Sequence, residues 1–574
     1  MSLFHTKTRF INRLKLLIWM LGTVLTLFAC SSIGLLANNS SLPDHPFVWV
    51  ASNLERIKRE DPPKSKTRID LYAARGEYEP FQIGIRAPNN GLTNVNVSVS
   101  DLSGPNNQLI SNKNITLYRE HYVHVTHSSP NEKGSSNPPL GTGWYADGLI
   151  PFVNPENQAD IKGAELDAVP FNLKARNNQP IWVDIFVPRD AQAGQYQGTF
   201  TVSSDQGVVT GKINLKVWNF ELPIKPSLNS EFTFYEHQDK SDMVELLKHK
   251  LMPDAHFNPA DEPELMKHWG LRSRSLPFWS GANVSTCKMA PAPSLKKIRT
   301  TAAKHESGLF LYARYADEID NCPNLIKPVK QWARNFHQAG IATALAMTPI
   351  PALYDDGSGT GRSAVDIWVV LPESYHEAPK RISEVLQKGD KVWSYNALVQ
   401  DGYSPKWQID FEPINYRIHP GFISQSLGLT GIIYWRVDLW TKEPWKDVQT
   451  YSQKKDYYPG EGMLFYPGKQ VGLKGVVPSM RLKWLREGVE DYEYLEILKS
   501  RVGVARTSLR EAAPTTWFDS AHQPLSDHRR HRQEWGLRLA RRVGLDWKNW
   551  TRDINLLESV RRQLGEEIER LSSQ

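Results

Sequence analysis

Between residues 226 and 500 the sequence keeps returning to one pattern: a short apolar run, an amphipathic stretch, a glycine and another apolar run. "EFTFY" (231–235), "LFLYARYA" (309–316), "IATALAMT" (341–348), "VDIWVVL" (365–371), "KVWSYNAL" (391–398) and "IIYWRVDL" (432–439) have few polar residues and no regular alternation. Such runs suit strands buried on both faces. "NLIKPVKQWARNFHQAG" and "ESYHEAPKRISEVLQKG" lie between consecutive runs, show helical spacing, and end at Gly340 and Gly389 just before the next run. Strand, helix, glycine, strand is how a parallel barrel is written. The expectation for 226–500 is therefore a (β/α)8 TIM-type barrel, six of whose strands can be read directly.

The texture before residue 226 is different. "RIDLYAARGEYEPFQIGIRAP", "NVNVSVSDLSG", "NITLYREHYVHV", "PIWVDIFVPRDAQAGQYQGTFTVSS" and "VVTGKINLKVWNFELP" alternate apolar and polar residues between Gly, Pro, Asn and Asp. That is strand and turn, and 46–225 is expected to be an all-β sandwich that packs and positions. A chain of 574 residues exceeds what one core serves, so a multidomain protein follows. Beyond residue 478 the run "VPSMRLKWLREGVEDYEYLEILKS" is helical, and its acids are expected on a solvated or capping face. Residues 501–574 are expected to form a charged helical C-terminal extension.

The first thirty residues carry a basic start, "MSLFHTKTRFINRLK", and the 13-residue apolar run "LLIWMLGTVLTLF", the n- and h-regions of an export signal. Leu27-Phe28-Ala29-Cys30 resembles a bacterial lipobox, whose Cys becomes the lipidated first residue. Phe28 is bulky for that pattern, so ordinary cleavage nearby or an uncleaved anchor stay open. Residues 31–45 are small and polar and read as a tether. The expectation is an exported protein, lipid-anchored at Cys30 in the cell envelope. Cys287 and Cys322 have no zinc-type spacing to other Cys or His; an oxidising compartment would allow them to pair, but sequence does not bring them together. A formal charge of +7 comes partly from the two ends and makes a nucleic-acid groove a poor reading. Nineteen Trp and 21 Tyr fit a protein that holds sugar faces, although most such rings fill cores.

"YADEID" (315–320) closes the run "LFLYARYA" with adjacent acids, Asp317 and Glu318. In a barrel the C-terminal strand ends face the active-site mouth. Carboxylates that flank a scissile bond from opposite faces stand about 5 Å apart or more, which adjacent residues do poorly. They suit a substrate-assisted reaction better, in which a sugar's 2-acetamido oxygen attacks the anomeric carbon. One acid then protonates the leaving oxygen while its neighbour holds the amide N–H. Repulsion and burial should raise the pKa of one member, assigned here to Glu318. The competing reading is a helix cap before "NCPNLIKPV". Asp261-Glu262 fit a helix start, and Glu490-Asp491 a solvated helix face.

"GIIYWRVDLWTKEPW", "GEGMLFYPG" and "VPSMRLKWLREGVEDYEYLEIL" resemble the C-terminal hallmark of the bacterial proteins called domain of unknown function 4091, grouped with glycoside hydrolase family 123. "VDIWVV", "KGDKVWSYN" and "YRIHPGF" fall in that family's order, and "GEYEPFQIGI", "QPIWVDIFVPRDAQAGQYQGTFTV" and "VWNFELP" resemble its N-terminal domain. The resemblance covers about residues 46–500. It implies a β-sandwich, a (β/α)8 barrel and β-N-acetylgalactosaminidase activity by substrate-assisted retention, with Glu318 as acid/base and Asp317 positioning the acetamido group. Where relatives commonly have Pro after the pair, this chain has Ile319.

Other assignments come from the residues themselves. Tyr395 and Asn396 end a strand and could bond the acetamido oxygen, or be satisfied by backbone. Trp435, with Trp393 nearby, could floor the sugar, or be core. Arg417 and His419, and His237, could bind hydroxyls. The expected enzyme needs no cofactor and acts on a glycan; the sequence does not give its oligomeric state. Two alternatives remain: a glycosidase for sugars without an acetamido group, pairing Glu318 with Asp410, Glu412 or Asp438, and a non-catalytic carbohydrate-binding surface lipoprotein.

Overall fold

A computed structural model of the protein describes residues 45–256, 258–504 and 527–572. The signal-like segment, Cys30 and nearly all of the proposed tether lie outside these residues. Among the described residues no helix is long and apolar enough to cross a membrane.

The alternation in residues 46–225 becomes two stacked sheets. One runs Phe47–Ser52, Tyr78–Arg86, Asn178–Phe186, Ile115–Val125, Gly143–Pro151, antiparallel throughout. The other runs Arg68–Arg75, Gly207–Glu221, Gly194–Ser204, Leu92–Val99, Phe171–Leu173, its first pair parallel. Period two explains the layering: Ile213, Leu215 and Val217 face inward while Lys212, Asn214 and Lys216 do not. Phe81, Ile83, Ile181 and Val183 from one sheet share a core with Leu71, Val97, Phe200 and Ile213 from the other.

The second half is an eight-stranded parallel sheet rolled nearly shut. In chain order its strands are Asn229–Thr233, Pro253–Asp254, Ser273–Ser275, Phe310–Asp317, Ala342–Ala346, Ile367–Val370, Lys391–Tyr395 and Gly431–Tyr434. The last pairs with the first, Gly431 beside Asn229. All six strands expected from sequence are present. The two not read beforehand have two and three residues, too short to leave an apolar pattern. Among the described residues they are also the only neighbours around this ring that share no ladder. At that seam the Arg274 guanidinium donates to the Ala255 carbonyl at 3.1 Å, so a side chain bridges where backbone pairing lapses.

Trp393 lies inside the barrel at 0% exposure, edge-on to Tyr312 with ring centroids 5.3 Å apart. A Cβ on Gly431 would come within 2.5 Å of its indole, which is why glycine begins the last strand. The expected sugar-floor role for Trp393 is therefore corrected: it is core.

The helix Met480–Val504 reverses another expectation. Glu487, Glu490, Asp491 and Glu493 are wholly buried, not solvated. The helix is clamped between sandwich and barrel by ion pairs: Arg481 holds Asp147 at 2.7 Å, and Arg486 holds both oxygens of Asp184 at 2.6 and 2.9 Å. Arg417, expected at the sugar, is buried and bonds Asp491 through Nε and Nη2 at 2.7 and 2.9 Å. His419 is also buried, its Nε2 2.7 Å from Ser394 Oγ. The extension comes back to the body: the helix Ile554–Ser572 inserts Arg561 between Asp491, 2.9 Å away, and the sandwich acids Glu77 and Glu79. The buried Asp491 of that helix thus finds its partners in Arg417 and, near the C-terminal end of the described chain, in Arg561.

Candidate active site

Asp317 ends the strand Phe310–Asp317 and Glu318 is the first residue of the loop. Glu318 has φ +47°, a left-handed backbone that costs a residue with a Cβ and turns its side chain away from its neighbour's course. The two acids diverge. Asp317 Oδ2 lies 3.5 Å from Arg314 Nη1, whose Nε donates to Glu231 at 2.6 Å. Glu318 instead accepts from the Tyr395 hydroxyl at 3.1 Å. One carboxylate is bound to the fourth strand's own arginine, the other reaches to the end of the seventh.

The loop that carries Glu318 is fixed on several sides. The Glu318 N–H donates to the Ala346 carbonyl at 2.8 Å, and Asp320 accepts from the Thr348 N–H at 3.0 Å. Ile319 is buried, so the residue standing where relatives have proline serves as a hydrophobic anchor. Cys322 is disulfide-bonded to Cys287 with Cα atoms 5.2 Å apart, pairing the two cysteines whose proximity sequence left open.

Burial, opposed by Arg314 and reinforced by Glu318, pushes Asp317 up to about 6. Asp317 is raised because it leaves the strand half-buried, beside the carboxylates of Glu318 and Glu231. Asp254, ending the second strand, is likewise pushed up to about 6 by burial and by Glu231. Burial and the neighbouring acids drive Tyr395 upward, keeping its phenol a protonated donor.

Trp435 follows the last strand and is half-buried. Its Nε1 donates to Glu461 at 2.7 Å, Glu461 accepts from Gln408 at 2.5 Å, and Tyr451 meets the indole edge at 6.0 Å. These contacts hold the ring in one orientation. Asn396 is buried and donates to the Pro405 carbonyl at 2.7 Å. His237 lies in the loop four residues beyond the first strand, its N–H donated to Asp438 at 3.0 Å and its ring against Trp440 at 4.4 Å. Of the residues expected at the site, Asp317, Glu318, Tyr395, Asn396 and Trp435 stand at or directly after C-terminal strand ends, and His237 lies in the loop that follows the first strand; Trp393 and Arg417 are buried elsewhere.

Sequence reasoning missed Glu231, Arg314 and Glu461. A signal existed for the first two: each is a charge inside an apolar strand run, which needs a partner once buried. Exposed rings at the same end, Tyr235 at 58% and Trp279 at 57%, were also missed, since one exposed aromatic looks in sequence like any other.

Two of the three acids proposed for a separated pair are engaged elsewhere. Asp410 is fully buried and accepts from Ser129 N and Oγ, each at 2.7 Å. Asp438 is fully buried and caps the N–H groups of Tyr235, Glu236 and His237 at 3.1, 2.7 and 3.0 Å. Glu412 stays exposed.

Against this geometry the likenesses of the chain can be placed. The Glycoside hydrolase 123 N-terminal domain matches residues 49–204, and the Glycoside hydrolase 123 catalytic domain matches residues 317–498, beginning at Asp317. A family 123 glycoside hydrolase from Clostridium perfringens, described for its hydrolysis of glycolipid glycans, superposes with TM-score 0.61 at 14% identity, over 92% of this chain and 99% of that one. A β-glucuronidase from Parabacteroides merdae, 10% identical over 79% of this chain and 51% of its own, reaches only 0.26. β-Glucuronidase 3 of Bacteroides uniformis, 9% identical over 76% and 52%, reaches 0.27; neither likeness carries weight. No curated protein matches the chain.

Proposed function

The chain belongs to glycoside hydrolase family 123, and from that premise we propose that it removes terminal 2-acetamido-2-deoxy sugars, β-linked N-acetylgalactosamine foremost, by a substrate-assisted retaining mechanism. The divergence of Asp317 and Glu318 carries this reading. A pair that splays from adjacent positions serves two points on neighbouring ring carbons, the glycosidic oxygen and the acetamido nitrogen.

In the first step the acetamido oxygen bonds to C1 as the C1–O bond breaks, and Glu318 gives its proton to the leaving oxygen. Asp317 accepts the amide N–H and stabilises the positive charge on the oxazolinium ring. In the second, Glu318 takes a proton from water, the water oxygen bonds to C1, and the ring reopens with configuration retained. Tyr395 steadies Glu318, Arg314 orients Asp317, and Trp435 underlies the sugar. The fold relative's glycolipid glycans make a cell-surface glycan the natural substrate class to try first.

The test is hydrolysis of aryl N-acetyl-β-galactosaminide, N-acetyl-β-glucosaminide and plain β-hexosides, with a thiazoline analogue as inhibitor. Turnover confined to acetamido sugars and lost in Asp317→Asn is expected. Turnover of plain hexosides with fluorosugar trapping would replace this mechanism by a separated pair, and binding without turnover would leave a lectin-like surface protein.

We also infer export with a lipid on Cys30. The Cys287–Cys322 disulfide supports an oxidising compartment. Palmitate labelling that disappears in Cys30→Ala is the expected result; labelling that persists would refute the anchor.

A further inference from the structure

Asp254 ends the second barrel strand, beside Thr233 of the first, and no step of the proposed reaction uses it. Register shows which way it points. Glu231 accepts from the Tyr312 hydroxyl inside the barrel, so Thr233, two residues further along the same strand, faces inward as well. The Asp254 carboxylate meets the Thr233 hydroxyl and therefore lines the same inner wall. Asp317 pairs with Ala346, which belongs with Tyr312 and Trp393 to the interior cluster, so Asp317 stands on that wall too. Between the two acids runs the third strand, whose Ser275 lies beside the inward Tyr312 and fills little of the space there.

The acids of this wall differ in what they have left to offer. Glu231 is 1% exposed, and its oxygens are taken by the Tyr312 hydroxyl and by Arg314 Nε, each at 2.6 Å. Asp254 is half-buried and poorly matched. Its Oδ2 meets the Thr233 hydroxyl at 3.4 Å, while Oδ1 accepts from no group among the described residues and stays open to solvent. A carboxylate that has given up part of its water without gaining a good donor is costly, and at a C-terminal strand end a ligand can supply the donor. The order of the acids says which part of a sugar arrives there. Glu318 leans to Tyr395 on the seventh strand, Asp317 to Arg314, and Arg314 holds Glu231 on the first strand, whose neighbour is the second. From Glu318 through Asp317 to Asp254 the mouth is crossed in one direction, as the sugar ring runs from C1 through C2 to C3 and C4.

We propose that Asp254 is a substrate-binding residue whose free Oδ1 accepts a hydroxyl from the C3–C4 edge of the terminal sugar. The hydroxyl must keep its hydrogen to donate, so a sugar substituted at that oxygen is refused, which confines the enzyme to chain ends. The placement of the ring rests on the reaction proposed for Asp317 and Glu318; the contact itself rests on the inward, half-open carboxylate.

The test sets aryl N-acetyl-β-galactosaminide against its 3-deoxy and 4-deoxy analogues on wild type, Asp254→Asn and Asp254→Ala. In wild type, loss of the hydroxyl that Asp254 holds should lower kcat/KM by roughly tenfold to a hundredfold, the range for a hydrogen bond to a charged group, and the analogue that suffers tells C3 from C4. Asp254→Ala should lower kcat/KM on the parent substrate by a similar factor and show no further loss on that analogue. Asp254→Asn keeps an acceptor without the charge and should fall between; it carries the comparison should the alanine variant not fold. Equal losses on all three substrates would mean a structural role only. That result, no loss on either analogue in wild type, or a loss that persists undiminished in Asp254→Ala would each overturn the proposal. The same cycle read by calorimetric binding of N-acetylgalactosamine and its two deoxy forms needs no turnover. An idle wild type that keeps the coupling in binding would fail the proposed reaction and uphold this contact; an active wild type without the coupling would do the reverse.

Discussion

The Tyr395 hydroxyl donates to Glu318 Oε1 at 3.1 Å, joining two barrel strands that stand three places apart around the ring. The bond spans the mouth and fixes the direction of the acid. Tyr395→Phe removes the donor and keeps the ring. A hydrogen bond to a charged group is worth about 1.5–3 kcal/mol, so kcat on the aryl acetamido substrate should fall by roughly tenfold to a hundredfold. Steady-state kinetics measures this; an unchanged kcat would mean that Glu318 is aimed by its backbone alone.

Asp317, raised to about 6, sets an acid limb. Protonated, it no longer carries the charge that stabilises the oxazolinium, so kcat/KM should fall about tenfold per unit below pH 6, since that parameter follows the free enzyme. Asp317→Asn should show no such limb and a low, flat rate.

Stability should change in the opposite sense. A carboxyl whose folded pKa exceeds its unfolded value is stabilised in its protonated form, and its ionisation costs stability progressively from about pH 4 to about pH 6. At pH 7.5, where that cost is complete, Asp317→Asn should melt no lower than wild type, and the gap should close at pH 4. Calorimetric melts at the two pH values check this; a variant clearly less stable at pH 7.5 would show that the Arg314 pair outweighs burial.

The disulfide links Cys287 to the loop four residues beyond Glu318, closing a separation of 35 residues. Such a loop corresponds to roughly 3–4 kcal/mol on the chain-entropy account. Cys287→Ser with Cys322→Ser should lower both the melting temperature and kcat, because the acid's loop loses a tether. Loss of melting temperature alone would assign the bond to stability only.

Arg561 joins the last described helix to acids of the sandwich and of the Met480–Val504 helix. Removing one member of a buried ionic group costs about 3–5 kcal/mol, since the others stay buried without it. Arg561→Ala should shift the denaturant midpoint sharply while Arg562→Ala, whose side chain is half exposed, should not. Equal, small shifts would mean that the extension is loosely attached.

Six barrel strands and the alternating sandwich were legible because each is a local pattern of at least several residues. The strands Pro253–Asp254 and Ser273–Ser275 were not, since two or three residues, including Arg274, have no period. Asp317 and Glu318 were legible by position, at the end of an apolar run. The acids of 487–493 were misread because what buries them is distant in the chain: Arg417 lies 74 residues from Asp491, and Arg561 lies 484 from Glu77. Arg417 failed as a sugar contact for the same reason, since neither spacing nor composition tells which polar residue a remote helix will cover; Trp393 failed because an indole in a barrel strand reads the same in sequence whether it faces the mouth or fills the interior. Helical spacing reports which face a helix presents to its neighbours, and here neighbours cover it all round.

The unladdered seam between Asp254 and Ser273 makes this cylinder a split ring. Elsewhere the circumference is set by peptide groups that every sequence possesses; at the split side chains do it, the Arg274 guanidinium reaching the Ala255 carbonyl and Met252 Sδ accepting from the Arg272 N–H at 3.2 Å. At this one joint the wall is closed by side chains, so its closure depends on sequence in a way that the backbone ladders around the rest of the ring do not.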